Sequence, residues 1–498
     1  MADGTYETET EGLTQATDAT DRPQIGTDEW VAQVEERRRR HLGLEGAIRR
    51  VWDAIPIPAR LGVFLAGASL LPFLTDSAYV KRVGFDTLIY MLLAVGLNVV
   101  VGYAGLLDLG YVAFFGFGAY CYAFMSSNQF DVHWPAEVSV PLIVVGSALL
   151  GLVLGLPSRR LLGDYLAIVT LFFGQLFVTL ANNSNRITPP WRDKAIDLTG
   201  GPNGITNLDQ FNLFGLKIGS IEGYFFLALV TFALAVVAMH FVNESRVGRA
   251  WRAIREDPLA AELMSMPVNR LKLLAFMFGA ATAGLTGSIF AALNTNVFPQ
   301  NFDLPLLITV YAMVILGGAG SLAGVAIGAI VVNVLLEVLT TPSQARVVFY
   351  AFIALGLVLS VRPWRWLAGV AAATLAFGFA VHAIVAATWD RGTEGAGHGG
   401  SVVARVARQW IVLPSDPRVL GNYAFVALVA SILVLTLIRR PWRWLALPPV
   451  LYLAAFVWEN RLIAEPSVTR LILLGAILVA LMHARPQGLL GTTRVEIV

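Results

Sequence analysis

"ESRVGRAWRAIREDPLAAELMSMPVNRLKLLAF", residues 244 to 276, decides the architecture because it does not belong with its surroundings. The chain is 56% apolar with a mean hydropathy of +0.66, yet this stretch gathers Arg246, Arg249, Arg252, Arg255, Glu256, Asp257, Glu262 and Arg270. Apolar runs flank it on both sides. An Arg or Asp at a bilayer centre costs about 2.5–3.5 kcal/mol, so this stretch lies in water and its neighbours lie in lipid. Its spacing predicts two short helices. Val247, Ala250, Trp251 and Ile254 share one face, with Arg249, Arg252 and Glu256 opposite, which suits a helix resting at the membrane interface. Asp257 then caps, and Pro258 begins, a second helix that Pro267 stops. That second helix presents Ala260, Ala261 and Glu262 to the close approach of another protein.

Working outward, only 14% of the 498 residues are charged, against about a quarter in soluble domains. The apolar runs, about 16–21 residues each, are long enough for spanning helices and too long for barrel strands. The fold class is an all-α polytopic membrane protein. Spans are predicted near 59–76, 84–103, 111–126, 138–156, 164–181, 222–242, 272–293, 304–317, 322–339, 346–361, 367–388, 418–439, 444–460 and 468–484. With both termini inside, most Lys and Arg fall on the cytoplasmic side, as the positive-inside rule requires. The opening stretch, the loop over 243–271, is then cytoplasmic. The turn-rich segment over 182–221 is external. Residues 1 to 30 read as an acidic disordered tail. The basic run from Asp28 to Trp52 is either a surface amphipathic helix or a solvated charge run.

Several function classes are excluded at this point. A net charge of +2 gives no electrostatic case for nucleic acid. There is no G-x-x-x-x-G-K-[ST] loop for ATP, and the six histidines are dispersed without metal-ligand spacing. No metal or cofactor is expected on this chain, and an enzyme is disfavoured. Cys121, the single cysteine, reads as a buried inert thiol. No apolar signal sequence opens the chain.

A second informative stretch is "GLNVVVGYAGLLDLGYVAFFGFGAYCYAFM", residues 96 to 125. Its glycines permit either close helix packing or a broken helix lining a cavity. Asp108 suits an N-cap for a helix starting near Leu109, or else a polar path. Asn98, Thr170 and Gln175 are polar groups within spans and need partners or water. Thr170 fits a bond to its own helix, which leaves Gln175 the better path candidate. Tyr111, Phe114 and Phe115 complete the candidate translocation path. Farther on, "YAFIALGLVLSVRPWRWLA" (350–368) recurs as "YAFVALVASILVLTLIRRPWRWLA" (423–446), so residues 362–467 read as duplicated transmembrane hairpins.

The stretches "GLNVVVGYAGLLDLGYVAFFGFGAY", "LLGDYLAIVTLFFGQ", "TGGPNGI", "SRVGRAWRAIREDPLAAE", "KLLAFMFGAATAGLTGSIFA", "VILGGAGSLAGVAIGA" and "RPQGLLG" together resemble the permease subunits of bacterial branched-chain amino-acid ABC importers, in particular the M-type, LivM-like member of each pair. The resemblance covers residues 84 to 361 and the last span with its tail, 468–498. It implies a permease core over 59–361 of about ten helices, with roughly four extra carboxy-terminal spans. It also implies an H-type second permease, two cytoplasmic ATPases that use the ATP, an external binding protein, and a place in the bacterial plasma membrane.

On this resemblance the ATPase-coupling residues are Arg255, Glu256, Asp257, Ala260, Ala261, Glu262 and Ser265, the last standing where the family usually has Gly. Thr199, Gly200, Gly201, Pro202, Asn203 and Gly204 would receive the binding protein, or else form a plain connector. The expected cargo is leucine, isoleucine or valine. The alternatives are a urea or short-amide permease, an ion-coupled secondary transporter, for which the spans offer almost no ionisable groups, or a structural scaffold.

Overall fold

The computed structural model describes residues 57–158, 164–186, 197–213, 215–360, 364–388, 410–414, 417–437, 440–464, 466–484 and 488–490. The acidic tail and the basic run to Trp52 lie outside the described residues. The chain divides into two compact units, one up to Leu70 and one from Leu71 onward. Helix α1 (Ile57–Leu74) crosses that boundary.

In the second unit α2 (Ala78–Leu97) runs into a π-helical turn over Asn98–Tyr103. It is followed by α3 (Tyr111–Met125), α4 (Ala136–Ser158), α5 (Asp164–Asn183) and α6 (Ile221–Glu244). Two short helices, α7 (Arg246–Glu256) and α8 (Pro258–Leu263), precede α9 (Val268–Asn294), α10 (Leu304–Gly317), α11 (Leu322–Val338) and α12 (Pro342–Ser360). The carboxy-terminal third holds α13 (Trp364–Thr388), α14 (Pro417–Leu437), α15 (Arg440–Ala464) and α16 (Pro466–Ala484).

Each predicted span coincides with a helix, and the protein is an all-α polytopic membrane protein. Among the described residues, seven helices are long and apolar enough to cross a bilayer alone. Others are shorter. The 15 residues of α3 reach only about 22 Å at 1.5 Å per residue, less than the hydrocarbon thickness. It is sheltered among longer helices, so it need not match the bilayer by itself.

The centre of the unit is α9, packed against α3 and α4. Lipid removes the hydrophobic drive between helices, so association depends on backbones approaching closely. Glycines supply that approach. A Cβ on Gly118 would lie 2.2 Å from the Gly284 carbonyl oxygen, and one on Gly287 would lie 2.1 Å from that of Phe115. This is the close-packing role of the second informative stretch. The same stretch also contains a helix break, over residues 104 to 110.

One two-residue ladder ties the long loop after α5 to the end of α9, and another forms within the loop. Strand β1 (Ile205–Thr206) pairs antiparallel with β4 (Asn296–Val297), and β2 (Asn212–Leu213) with β3 (Leu216–Lys217).

In the carboxy-terminal third, the first copy of the repeat falls on α12 and α13 and the second on α14 and α15. Trp366 and Trp444, equivalent positions of the copies, touch with ring centroids 5.8 Å apart. Helix α15 joins these helices to α12 in two ways. The rings of Phe349 and Trp458 stack at 4.4 Å. Beside them Arg346 Nε and Nη2 donate to Glu459 Oε1 and Oε2 at 2.6 and 2.7 Å, with both side chains almost wholly buried. Sequence places both residues at span edges, where they do not stand out. Removing one partner of such a pair leaves a buried charge, at a cost of about 3–5 kcal/mol. Glu459→Leu is therefore expected to lower the melting temperature of the purified protein sharply. The pair replacement Arg346→Met with Glu459→Leu should restore most of it. Thermal unfolding followed by size-exclusion chromatography measures both.

Candidate coupling hub and translocation path

The Arg-rich stretch folds as its capping residues dictate. Ser245 Oγ accepts from the Val247 and Gly248 N–H groups and starts α7. Asp257 Oδ1 accepts from Leu259 and Ala260 N–H at 2.8 and 3.0 Å and starts α8. One expectation is corrected. The apolar face of α7 does not rest in the lipid interface but packs into the protein. Trp251 is 1% exposed, its indole N–H donates to the Leu271 carbonyl at 2.8 Å, and its ring meets Phe278 edge-on. An indole must satisfy its N–H when buried, and the start of α9 offers the acceptor.

On α8 a second correction follows. Ala261 is buried, so it presents nothing to a partner. The outward surface is Leu259, Ala260, Glu262, Leu263 and Met264, with Leu263 86% exposed. Ser265 sits at φ +60. A left-handed backbone suits Gly, which explains the residue expected at that point by resemblance.

Arg255, at the end of α7, reaches into the core. Its Nη1 donates to the carbonyl oxygen of Gly102 in the π-helical turn and, at 3.5 Å, to that of Ala319. Asn98 Oδ1, also in the π turn, accepts the Gly320 N–H at 2.8 Å. The turn Gly318–Ser321 between α10 and α11 is thus held from two sides. It is held from a third by the tail: Leu489 and Leu490 N–H donate to the carbonyls of Leu316 and Gly317 at 2.8 and 3.0 Å. Those carbonyls end α10 and have no partner inside the helix. The motif "GGAGS" and the tail residues Gly488, Leu489 and Leu490, far apart in sequence, meet here.

The candidate path residues do not share one space. Asn98 belongs to the hub. Tyr111, Phe114 and Thr170 are enclosed among helices, and Thr170 Oγ1 both donates to Ala167 O and accepts the Leu109 N–H. Asp108 does not cap a helix beginning near Leu109. The helix begins at Tyr111 after Gly110, because Gly110 must pass within contact of the Thr170 carbonyl before the chain can turn. Asp108 Oδ1 accepts the Gly110 N–H at 3.0 Å, and its backbone carbonyl accepts the Tyr311 hydroxyl at 2.7 Å. Gln175 is exposed on α5 beside a narrow groove with Leu109, Gly110 and Asp303. Phe115 lines a larger cavity of about 470 Å³, at the opposite end of the helices from Arg255. Asp86, Gln300, Asn333 and Glu337 line it too. Nothing in the sequence brought these four together, because each reads alone as a span-edge polar residue.

In the long loop, the TGGPNGI turn is held by its own bonds. Thr199 Oγ1 donates to the Ala181 carbonyl at 2.7 Å, and Gly200, Gly201 and Gly204 all have positive φ. A Cβ on Gly204 would lie 2.1 Å from the Val297 carbonyl oxygen. Only Pro202 and Asn203 point fully outward.

Comparison with known proteins adds to this geometry. The family described as branched-chain amino acid transport system / permease component matches residues 80–361. The high-affinity branched-chain amino acid transport system permease protein LivM of Salmonella typhimurium is 35% identical over 319 residues, 59% of this chain and 70% of that one. LivM of Escherichia coli K12 is 36% identical over 304 residues, covering 56% and 67%. LivH of the same organism is 26% identical over 257 residues, covering 49% and 80%. No solved structure matches.

Relief of the left-handed backbone gives a direct check on the α8 turn. Ser265→Gly is expected to stabilise residues 258–268 locally by about 1 kcal/mol. Slower amide exchange in that segment, with no change elsewhere, is the expected outcome.

Proposed function

The chain belongs to the family of permease components of branched-chain amino-acid transport systems, and from that premise we propose how it works within an ATP-driven importer. The chain forms the membrane path with an H-type permease. Two cytoplasmic ATPases bind and hydrolyse the ATP, so the chain itself carries no cofactor and no catalytic residue. An external binding protein delivers leucine, isoleucine or valine. The chain is a multi-pass protein of the bacterial inner membrane, with both termini and the α7–α8 segment in the cytoplasm. Pro202 and Asn203, on the rigid turn at the outer end, touch the binding protein.

The observation that carries the reading is the pairing of an exposed cap with a buried tether. Leu259, Leu263 and Met264 are too apolar and too exposed to serve a free surface helix, and they fit a cleft on an ATPase. Arg255 and Trp251 lock the same segment to the π turn, the Gly318–Ser321 turn and α9. Motion of the ATPases therefore reaches the spans through a rigid lever and not through a loose loop. Glu256 and Asp257 flank the joint, and Asp257 keeps α8 formed by capping it.

The test uses the assembled importer in vesicles. Leu263→Asp should leave the chain in the membrane but lower both leucine uptake and substrate-stimulated ATP hydrolysis by about tenfold or more, as loss of a central apolar anchor does. Arg255→Met should keep the ATPases bound and hydrolysing while uptake falls. If both variants transport normally, the segment is not the coupling element. Orientation has its own check. In a chain with Cys121→Ala, a cysteine replacing Asn203 should react with an impermeant thiol reagent in intact cells, and reaction only after permeabilisation would reverse the orientation.

A further inference from the structure

The cavity at the loop end of the helices is built from an unusual combination of groups. Its inner wall is apolar, formed by Ile89 and Leu93 of α2 and by Phe290 of α9. Its rim carries two carboxylates, Asp86 and Glu337. They are not equivalent. Asp86 accepts from Arg82 Nε at 3.0 Å, and the same guanidinium also donates to Asn294 Oδ1 at 2.7 Å. Glu337 has a hydroxyl partner, Tyr79 at 2.5 Å, and among the described residues no cation pairs with it. Arg82 with Asp86 sums to zero, so among the described residues the rim keeps one negative charge that no cation offsets. Asn333 stands beside it, its amide nitrogen donating to Thr87 Oγ1 at 2.7 Å, which leaves its oxygen as an acceptor.

We propose that this cavity is a transit site for the cargo, in which Glu337 and Asn333 accept the α-ammonium group and the Ile89, Leu93 and Phe290 wall receives the branched side chain. The inference rests on the functional reading above and adds the chemistry of the site. A span-edge carboxylate that no cation meets among the described residues is available to a positive ligand. An ammonium group has three N–H donors, and the carboxylate with the amide oxygen takes them. The volume of about 470 Å³ holds one small amino acid with a few waters. The cavity shares its end of the helices with the TGGPNGI turn, since Gln300 on its lining lies 3.5 Å from the Pro202 carbonyl. A binding protein docked on that turn would release its cargo at this rim. A lipid chain would gain nothing from the two carboxylates. Cargo lacking the ammonium group would leave Glu337 unpaired.

The experiment measures uptake of labelled leucine by vesicles holding the complete importer, with saturating binding protein, and ATP hydrolysis in parallel. Glu337→Gln should lower uptake turnover about tenfold or more while hydrolysis remains stimulated, because a charge that meets the cargo is lost. Glu337→Asp should recover most of it. Tyr79→Phe removes the hydroxyl bond but keeps the charge, and should transport nearly normally. Ile89→Trp, which fills the apolar wall, should block uptake as Glu337→Gln does. Uptake at the wild-type rate in both Glu337→Gln and Ile89→Trp would overturn the site. So would equal damage from Tyr79→Phe, which would make Glu337 a packing residue. Loss of the H-type permease from the purified Glu337→Gln complex would also overturn it, by making the cavity a subunit contact. A wild-type importer that moved no branched-chain amino acid would instead bring down the functional reading beneath, and the site with it.

Discussion

The hydrogen bonds from Arg255 to the carbonyls of Gly102 and Ala319 are the interaction on which the rest depends. A π-helical turn and a glycine turn both leave backbone acceptors without ladder partners, and in a membrane protein such groups must be met internally. A guanidinium, with five donors in a fixed fork and a permanent charge, can meet several at once. Arg255 does so from a short helix between two of the apolar spans. It therefore ties that charged segment to two breaks in the spanning helices. Asn98 bonds one break to the other, and the tail residues Leu489 and Leu490 close the end of α10 beside them.

The remaining architecture supports this tie. Close glycine contacts between α3 and α9 make the core stiff, because backbones in contact cannot slide without steric clash. Trp251 fixes α7 on the start of α9, so displacement of α8 is passed directly to the longest core helix. At the far end of that helix lie β4, the TGGPNGI turn and the rim of the cavity. One rigid path thus joins the proposed ATPase surface to the proposed entry of the cargo. The additional helices α13 to α15 are held separately, by the Arg346–Glu459 pair and the Phe349–Trp458 stack on α12.

Much of the fold was legible in the sequence because lipid imposes a simple rule: apolar runs become helices, and charged stretches stay outside. The cap Asp257 with Pro258 was legible for a local reason, since it acts within three residues, whereas the Ser245 cap emerged only from the structure. What failed was facing. Ala261 looked like a docking residue by size, but α8 faces it inward and leaves Leu263 and Met264 outward. The face of α7 was read correctly as a face and assigned to the wrong medium, because an apolar stripe does not say whether lipid or protein covers it. Asp108 was read as a cap two residues too early, since only the approach of Gly110 to Thr170 reveals where α3 begins. The grouping of Glu337 and Asn333 on α11 with Asp86 on α2 needs two helices in register, which no local pattern encodes.

The central claim is that α7 and α8 move as one body with the Gly318–Ser321 turn. Pulsed electron-spin distances between labels at Arg249 and Leu322, in the assembled importer with Cys121 replaced, test it most directly. The account predicts one narrow distance distribution that is the same with and without ATP, and that broadens in Arg255→Met. A distribution that shifts on ATP binding in the otherwise unchanged protein would show that the segment moves independently of the turn, and would contradict the account.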